Sequence, residues 1–251
     1  MSINATSRRR LRGLILLLGT VVIFAASLTH LLHDSRRYRD RRWSRTRLGH
    51  IWRGLRAYDE EYGRLPPATD ANGGAAKAKS WRVSVYESLL HIGYFAASDP
   101  SLSYDHTRHW NDPMNLQLEK RGWLFQRPHR EIDERNMTFY KAVTGPGTAF
   151  DCAKTASLDE LPSELILVVR VESSATHWMQ PGDLAISDLA PSDETKQLLA
   201  GKTGYAVLFA DGEAWTLSAD LPIPNLCTFL TIDGAIRHCR DQMLGPYRVF
   251  Q

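Results

Sequence analysis

Cysteine is scarce in this chain of 251 residues, and its three copies, Cys152, Cys227 and Cys239, form no CxxC pair. A structural zinc site of paired thiolates therefore has no foundation, because such sites draw closely spaced ligands from cysteine and histidine. Cys227 and Cys239 leave two readings open, a bridge in an oxidising compartment or two separate half-buried thiols. The sequence also lacks HExxH, G-x-S-x-G and any glycine-rich loop ending in GK[ST]. It thus offers no zinc-protease helix, nucleophile elbow or Walker-type phosphate cradle. "TGPGTAF" (144–150) resembles a phosphate loop only loosely, since Pro146 removes a backbone donor. It reads as a tight turn at Gly145 and Gly147 leaving a strand. No internal repeat is present.

Charge of one sign is lacking too. The formal net charge is only +3, with arginines crowded into the first 64 residues and acidic residues dominating 183–194. A uniformly basic nucleic-acid binder is not expected from that distribution. A hydrophobic content of 43% and a charged content of 24% match ordinary globular chains. The length suits one substantial core plus an appendage.

What is present begins with "GLILLLGTVVIFAASLTHLL", residues 13–32, which contains no Asp, Glu, Lys or Arg. Its length, about 30 Å at ~1.5 Å per residue, predicts a membrane-spanning helix behind a basic flank, 1–12. A secretory signal peptide is the alternative. The apolar run exceeds a usual h-region, however, and an arginine-rich stretch follows it directly. Arg36, Arg37, Arg39, Arg41, Arg42, Arg45 and Arg47, with Tyr38 and Trp43, are expected among lipid headgroups. Membrane lipid is the first partner expected.

Between 33 and 64, Leu48, Ile51, Trp52, Leu55, Tyr58 and Tyr62 recur at helical spacing, which predicts an amphipathic extension. Gly49 and Gly54 weaken it by about 1 kcal/mol each. "GRLPP" ends it, because a helix rarely continues through Leu65-Pro66-Pro67. One helix running to about Tyr62 is the simplest expectation, and two helices broken near Asp34-Ser35 are the alternative.

The remainder, 65–251, is expected to be a globular head. "WRVSVYESLL" (81–90) reads equally as buried strand or short helix. Residues 98–136 read as a long irregular region. "TFYKAVTG" (138–145) and "ELILVVRVE" (164–172) read as strands, the second central. "AVLFADGEAWTLS" (206–218) predicts a hairpin with Asp211-Gly212 in a type I′ turn. A catalytic Asp211 would need a nearby base or second carboxylate, and only Glu213 is local.

Three constellations raise chemistry. His106, His109 and Asp112 in "DHTRHWND" are weak metal candidates, set against a hydrogen-bonded loop around Trp110. Ser173, His177 and Asp183 suggest a hydrolase, with no elbow to support it; a loop packing Trp178 and Met179 on the sheet is the plainer reading. Trp81, Trp110, Trp123 and Trp178 would suit a polysaccharide or peptide groove, or else a core. A non-catalytic chain without cofactor is expected.

"LGHIWRGLRAYDEEYGRLPPA", "SWRVSVYESL", "HWNDPMN", "TFYKAVTGPGTAF", "ILVVRVESSATHWMQPGDL" and "VLFADGEAWTLS", in that order, resemble the bacterial domain of unknown function 1559. That family is similar to type IV pilins and type II secretion pseudopilins. The resemblance runs with gaps from about residue 45 to 220, and "LCTFLTIDGAI" looks like its closing segment. It implies an α+β, pilin-like fold: a long N-terminal membrane-spanning helix packed on an antiparallel sheet with long irregular loops. It also implies an envelope assembly or secretion role, homo- or hetero-assembly with pilin-like proteins, and a single-pass protein of the cytoplasmic membrane. The C-terminal domain would then be extracytoplasmic, although the arginine count alone would place it in the cytoplasm. Gly13 matches the family's prepilin-type cleavage glycine, but Leu18 stands where the glutamate belongs. Arg170 likewise stands where the family often has a glutamate.

Overall fold

Ser80, Asp112, Ser192 and Thr231 each turn a side-chain oxygen onto a backbone N–H at the start of a helix, the local preference that starts helices in this chain. The computed structural model describes residues 5–70, 78–95, 103–126, 136–151, 156–171, 174–200 and 204–249, with side chains at all of these except 5–20, 33, 36, 37 and 70. In chain order the elements are α1 (Ala5–Tyr62), β1 (Thr69–Asp70), β2 (Lys79–Ser80), α2 (Trp81–His91), α3 (Pro113–Leu116), β3 (Met137–Thr138), β4 (Tyr140–Thr144) and β5 (Ile166–Arg170). There follow β6 (Thr176–His177), β7 (Leu184–Ala185), α4 (Asp193–Leu199), β8 (Tyr205–Phe209), β9 (Ala214–Leu217), α5 (Ile223–Thr228), α6 (Ile232–Arg237) and α7 (Arg240–Met243). Contacts divide the chain into two compact units, Met1–Asp40 and Arg41–Gln251.

The first unit holds the opening part of α1, a single helix with no break at Asp34-Ser35. The predicted membrane-spanning helix over 13–32 is corrected here. Among the described residues no helix is long and apolar enough to cross a membrane. Positions 13–20, with Gly13 and Leu18, lie outside the described side chains. Residues 21–32, whose side chains are described, contain no Asp, Glu, Lys or Arg. Asp34, Arg39, Asp40 and Arg41 then follow in the same helix.

The second unit is α+β. Its sheet has the order β7-β4-β5-β8-β9. The β4–β7 pair is parallel and the others are antiparallel, so the sheet is mixed, not purely antiparallel as expected. β5 lies at the centre with all five positions buried, as its continuous apolar run predicts. On α1, Leu48, Ile51 and Leu55 are fully buried in the same core. The helix stops at Tyr62. Gly63, at φ 66°, donates to Asp59 O at 2.7 Å, and Pro66 follows, buried.

The ambiguous segment 81–90 is helix α2. Trp81, Val83, Val85, Tyr86 and Leu89 are buried on nearly every side of it, which erases the amphipathic period by which a helix is normally read. The hairpin β8–β9 forms where expected, with a different turn. Phe209 N donates to Glu213 O at 2.9 Å and Gly212 N to Phe209 O at 3.0 Å, leaving the three residues Ala210, Asp211 and Gly212 as the loop. Only its third position needs the left-handed region, and Gly212 supplies it at φ 89°. A Cβ on Gly212 would lie 2.6 Å from the Trp52 ring, whose Nε1 donates to Ala210 O at 3.3 Å. The turn residue is thus chosen by the helix resting on it as much as by its own backbone.

Gly54 has a similar cause. A Cβ there would sit 2.5 Å from Val85 Cγ1 and 3.0 Å from Val85 O, so α1 and α2 meet without an intervening side chain. Gly49 has nothing within 4 Å. Alanine at these two positions should therefore act in opposite directions. Gly49→Ala is expected to raise the urea midpoint by gaining up to about 1 kcal/mol of helix propensity. Gly54→Ala is expected to lower it, because overpacking of about 1–3 kcal/mol exceeds the same gain.

Candidate functional site

Ser80 caps α2 and places Arg82 inside the second unit, where the guanidinium is fully buried. It donates to Tyr140 O at 3.0 and 2.8 Å, to Ser80 Oγ at 2.5 Å and to Asp183 Oδ1 at 2.6 Å. Asp183 Oδ1 also accepts from Trp81 Nε1 at 3.0 Å and from the backbone N–H of Ala142 at 2.8 Å. The adjacent Lys141 donates to Thr176 Oγ1 at 2.7 Å and Gly182 O at 2.6 Å. Together these bonds staple the loop 176–184, "THWMQPGDL", to β4 and to the start of α2.

Burial pulls the Arg82 guanidinium below its ordinary range, with the Asp183 charge opposing the shift. Lys141 falls from 10.5 to about 8, first through burial and then through the Arg82 charge, again opposed by Asp183. A lysine so depressed is the kind that acts as a base or nucleophile when a substrate reaches it. Here the residue is 2% exposed and both its bonds go to acceptors of its own fold. The arrangement is a structural clamp.

The residues singled out from the sequence are dispersed rather than gathered. His106 pairs with Glu87 at 2.8 Å and lies 3.0 Å from Lys79 Nζ. His109 contacts Asn111 through Nδ1, and Asp112 caps Met114 while pairing with Arg108. Among the described residues no group of three or more His, Cys, Asp or Glu is placed to hold a metal. Asn115, fully buried, organises this loop by accepting from Asp105 N and donating to Asp105 O and His109 O.

Trp81 and Trp178 are fully buried, Trp110 stacks on His177 with ring centroids 5.0 Å apart, and Trp123 is exposed on one edge. The four tryptophans therefore do not line one groove. His177 accepts from Met179 N through Nδ1 and turns Nε2 towards Glu119 at 3.7 Å. Burial lowers its pKa against the pull of Glu119. Asp183 is engaged by Arg82, and Ser173 lies outside the described residues, as does Cys152. Cys227 and Cys239 are both free thiols. Burial raises the Cys227 pKa.

Gly145 and Gly147 adopt φ 115° and 75° in the turn after β4, where Thr148 N donates to Gly145 O at 3.2 Å. Asp211 is a turn residue with a second task. Its Oδ1 accepts from Glu213 N at 2.9 Å, while Oδ2 pairs with Arg240. The Arg240 guanidinium in turn lies over Phe209 and Trp215, 4.5 and 5.1 Å from their ring centroids. That link from the hairpin to α7 spans 29 positions and carries no local sequence signal. Arg170 is buried and donates to Ser44 Oγ of α1 at 2.5 Å. No family model, curated protein or solved structure matches this chain.

Two outcomes follow from the clamp. Asp183→Ala strands the Arg82 charge in the core and is expected to cost about 3–5 kcal/mol in urea unfolding. For Lys141, the unfolded chain binds the proton more tightly than the folded one between about 8 and 10.5. Stability should therefore rise with pH through that window. Relative to Lys141→Met, which removes the titration, the wild type is expected to gain at most about 1.4 kcal/mol per pH unit.

Proposed function

We propose that this chain is a non-catalytic assembly protein, of the general kind implied by the resemblance of its ordered motifs to the domain of unknown function 1559 family. The occupant of its apolar helix segment is the same segment of further copies. The observation that carries this reading lies in the first unit. There Val21, Val22, Ile23, Phe24, Leu28, Leu31 and Leu32 are between 46% and 71% exposed. Val21 to Phe24 are consecutive, so they point to all sides of the helix, at about 100° per residue. A helix apolar all round is normally enclosed by other structure, and exposed apolar patches of this kind mark association surfaces. One flat groove on a foreign partner would cover one side only. Several parallel copies of the same segment cover every side and repeat the same contact.

The second unit supports the reading from the other direction. Its Arg82 and Lys141, both lowered by burial, are held by acceptors of the fold, while His177 serves loop packing and His106 an exposed ion pair. This polar cluster holds a loop to the sheet, as suits a domain that presents surfaces.

Chemical crosslinking of the full chain at micromolar concentration is expected to give a ladder of multimers. Ile23→Glu combined with Phe24→Glu should collapse the ladder to monomer while leaving the melting of the second unit unchanged. A wild-type protein that stays monomeric, or a ladder indifferent to both substitutions, would refute the proposal.

A further inference from the structure

Arg47 lies on α1 in the second unit, 6% exposed, and its Nε and Nη1 are buried with no hydrogen-bond partner. Its guanidinium carbon lies 5.5 Å from the Trp43 ring centroid and 5.7 Å from that of Trp123. Trp43 and Trp123 are 40% and 39% exposed, so solvent reaches the two rings that neighbour the buried guanidinium. Burial lowers the Arg47 pKa, and the only group acting against that is the Tyr140 phenol, not a carboxylate. Arginine nonetheless stays charged in proteins.

The surroundings add positive charge rather than remove it. His50, one turn further along, meets Trp123 edge-on at 5.7 Å and Tyr94 at 5.5 Å. Its own protonation is disfavoured by burial, then by Arg53 and by Arg47. Arg53 donates to Tyr94 Oη at 3.1 Å and lies over the same ring. One turn before Arg47, Ser44 receives the Arg170 hydrogen bond. No ion pair involving Arg47 is formed among the described residues, whereas the fully buried Arg82 has Asp183.

Ring faces attract a cation, but they accept no N–H in its plane. A buried guanidinium with two unused donors is an incomplete arrangement, and such groups are normally completed by a partner, water or an ion. We infer that Arg47, beside the Trp43 and Trp123 rings, is a binding site for an oxyanion, a phosphate or carboxylate group that meets the unused guanidinium donors. Arginine forms its strongest hydrogen bonds with these two groups. The site is independent of the self-association of the apolar helix segment, since every group in it belongs to the second unit.

The test is a melt and a tryptophan-fluorescence titration of the full chain with inorganic phosphate and, separately, acetate, each against chloride at matched ionic strength. The two arms tell which oxyanion the site prefers. For the wild type, the preferred anion at 100 times its Kd should raise the melting temperature by about 5–10 °C and change the emission of Trp43 and Trp123. Arg47→Met, which keeps the stem and removes the charge, should lose both responses and melt higher than wild type in chloride alone. General salting-out stabilises both proteins equally, so the difference between them is the readout. Arg47→Lys, which keeps a charge and loses the planar donors, should bind at least about tenfold more weakly, and it decides the matter should the methionine variant not fold. An unresponsive wild type, or a response preserved in these variants, overturns the site.

Discussion

One carboxylate oxygen holds three parts of the second unit in register. Asp183 Oδ1 receives the Arg82 guanidinium, the Trp81 indole N–H and the Ala142 backbone N–H, which belong to the start of α2 and to β4. Asp183 itself sits one residue before β7, so the same bonds set the parallel pairing of β7 on β4. A charge taken this far from water is tolerable only when paired and hydrogen-bonded, and here each neighbour fulfils part of that condition. The Lys141 bonds to Thr176 and Gly182 extend the arrangement along the loop. Removing Asp183 leaves the Arg82 charge buried without its counter-ion. The loop 176–184 consequently behaves as part of the core although it contains little regular structure.

The helix contacts depend on small residues rather than on charge. Gly54 lets α1 approach α2, and Gly212 lets Trp52 lie on the hairpin loop. Both glycines carry a cost to local structure that close packing offsets. Arg170, standing where the resembled family often has a glutamate, bonds Ser44 of α1 at 2.5 Å and so contributes to the same docking. A glutamate at this buried position would meet a different set of partners.

The functional picture separates along the same division. In the second unit Arg82 and Lys141 are engaged in holding the fold, whereas Arg47 is a buried cation whose Nε and Nη1 have no hydrogen-bond partner. In the first unit, apolar side chains stand in the open on every side of a helix. Packing accounts for the first pattern, and the proposed association between copies would account for the second. The expectation of a membrane-spanning helix rested on counting apolar residues over 13–32. Among the described residues no helix is long and apolar enough to cross a membrane.

Local pattern was enough for several features. The end of α1 at Tyr62, the strand 166–170 and the hairpin around Asp211-Gly212 follow from proline chemistry, an apolar run and glycine's tolerance of positive φ. Burial of Trp178 and Met179 agrees with the plain reading of those residues. Only the tertiary structure decided that 81–91 is a helix, because burial on all sides removes the period that marks one. It alone brought Arg82 to Asp183 across 101 positions, Arg240 to Asp211 across 29, and Trp123 over Arg47. Periodicity records which way a side chain faces along its own element. The pairing of charges and rings between distant elements is set by how those elements pack, and no nearest-neighbour rule contains it.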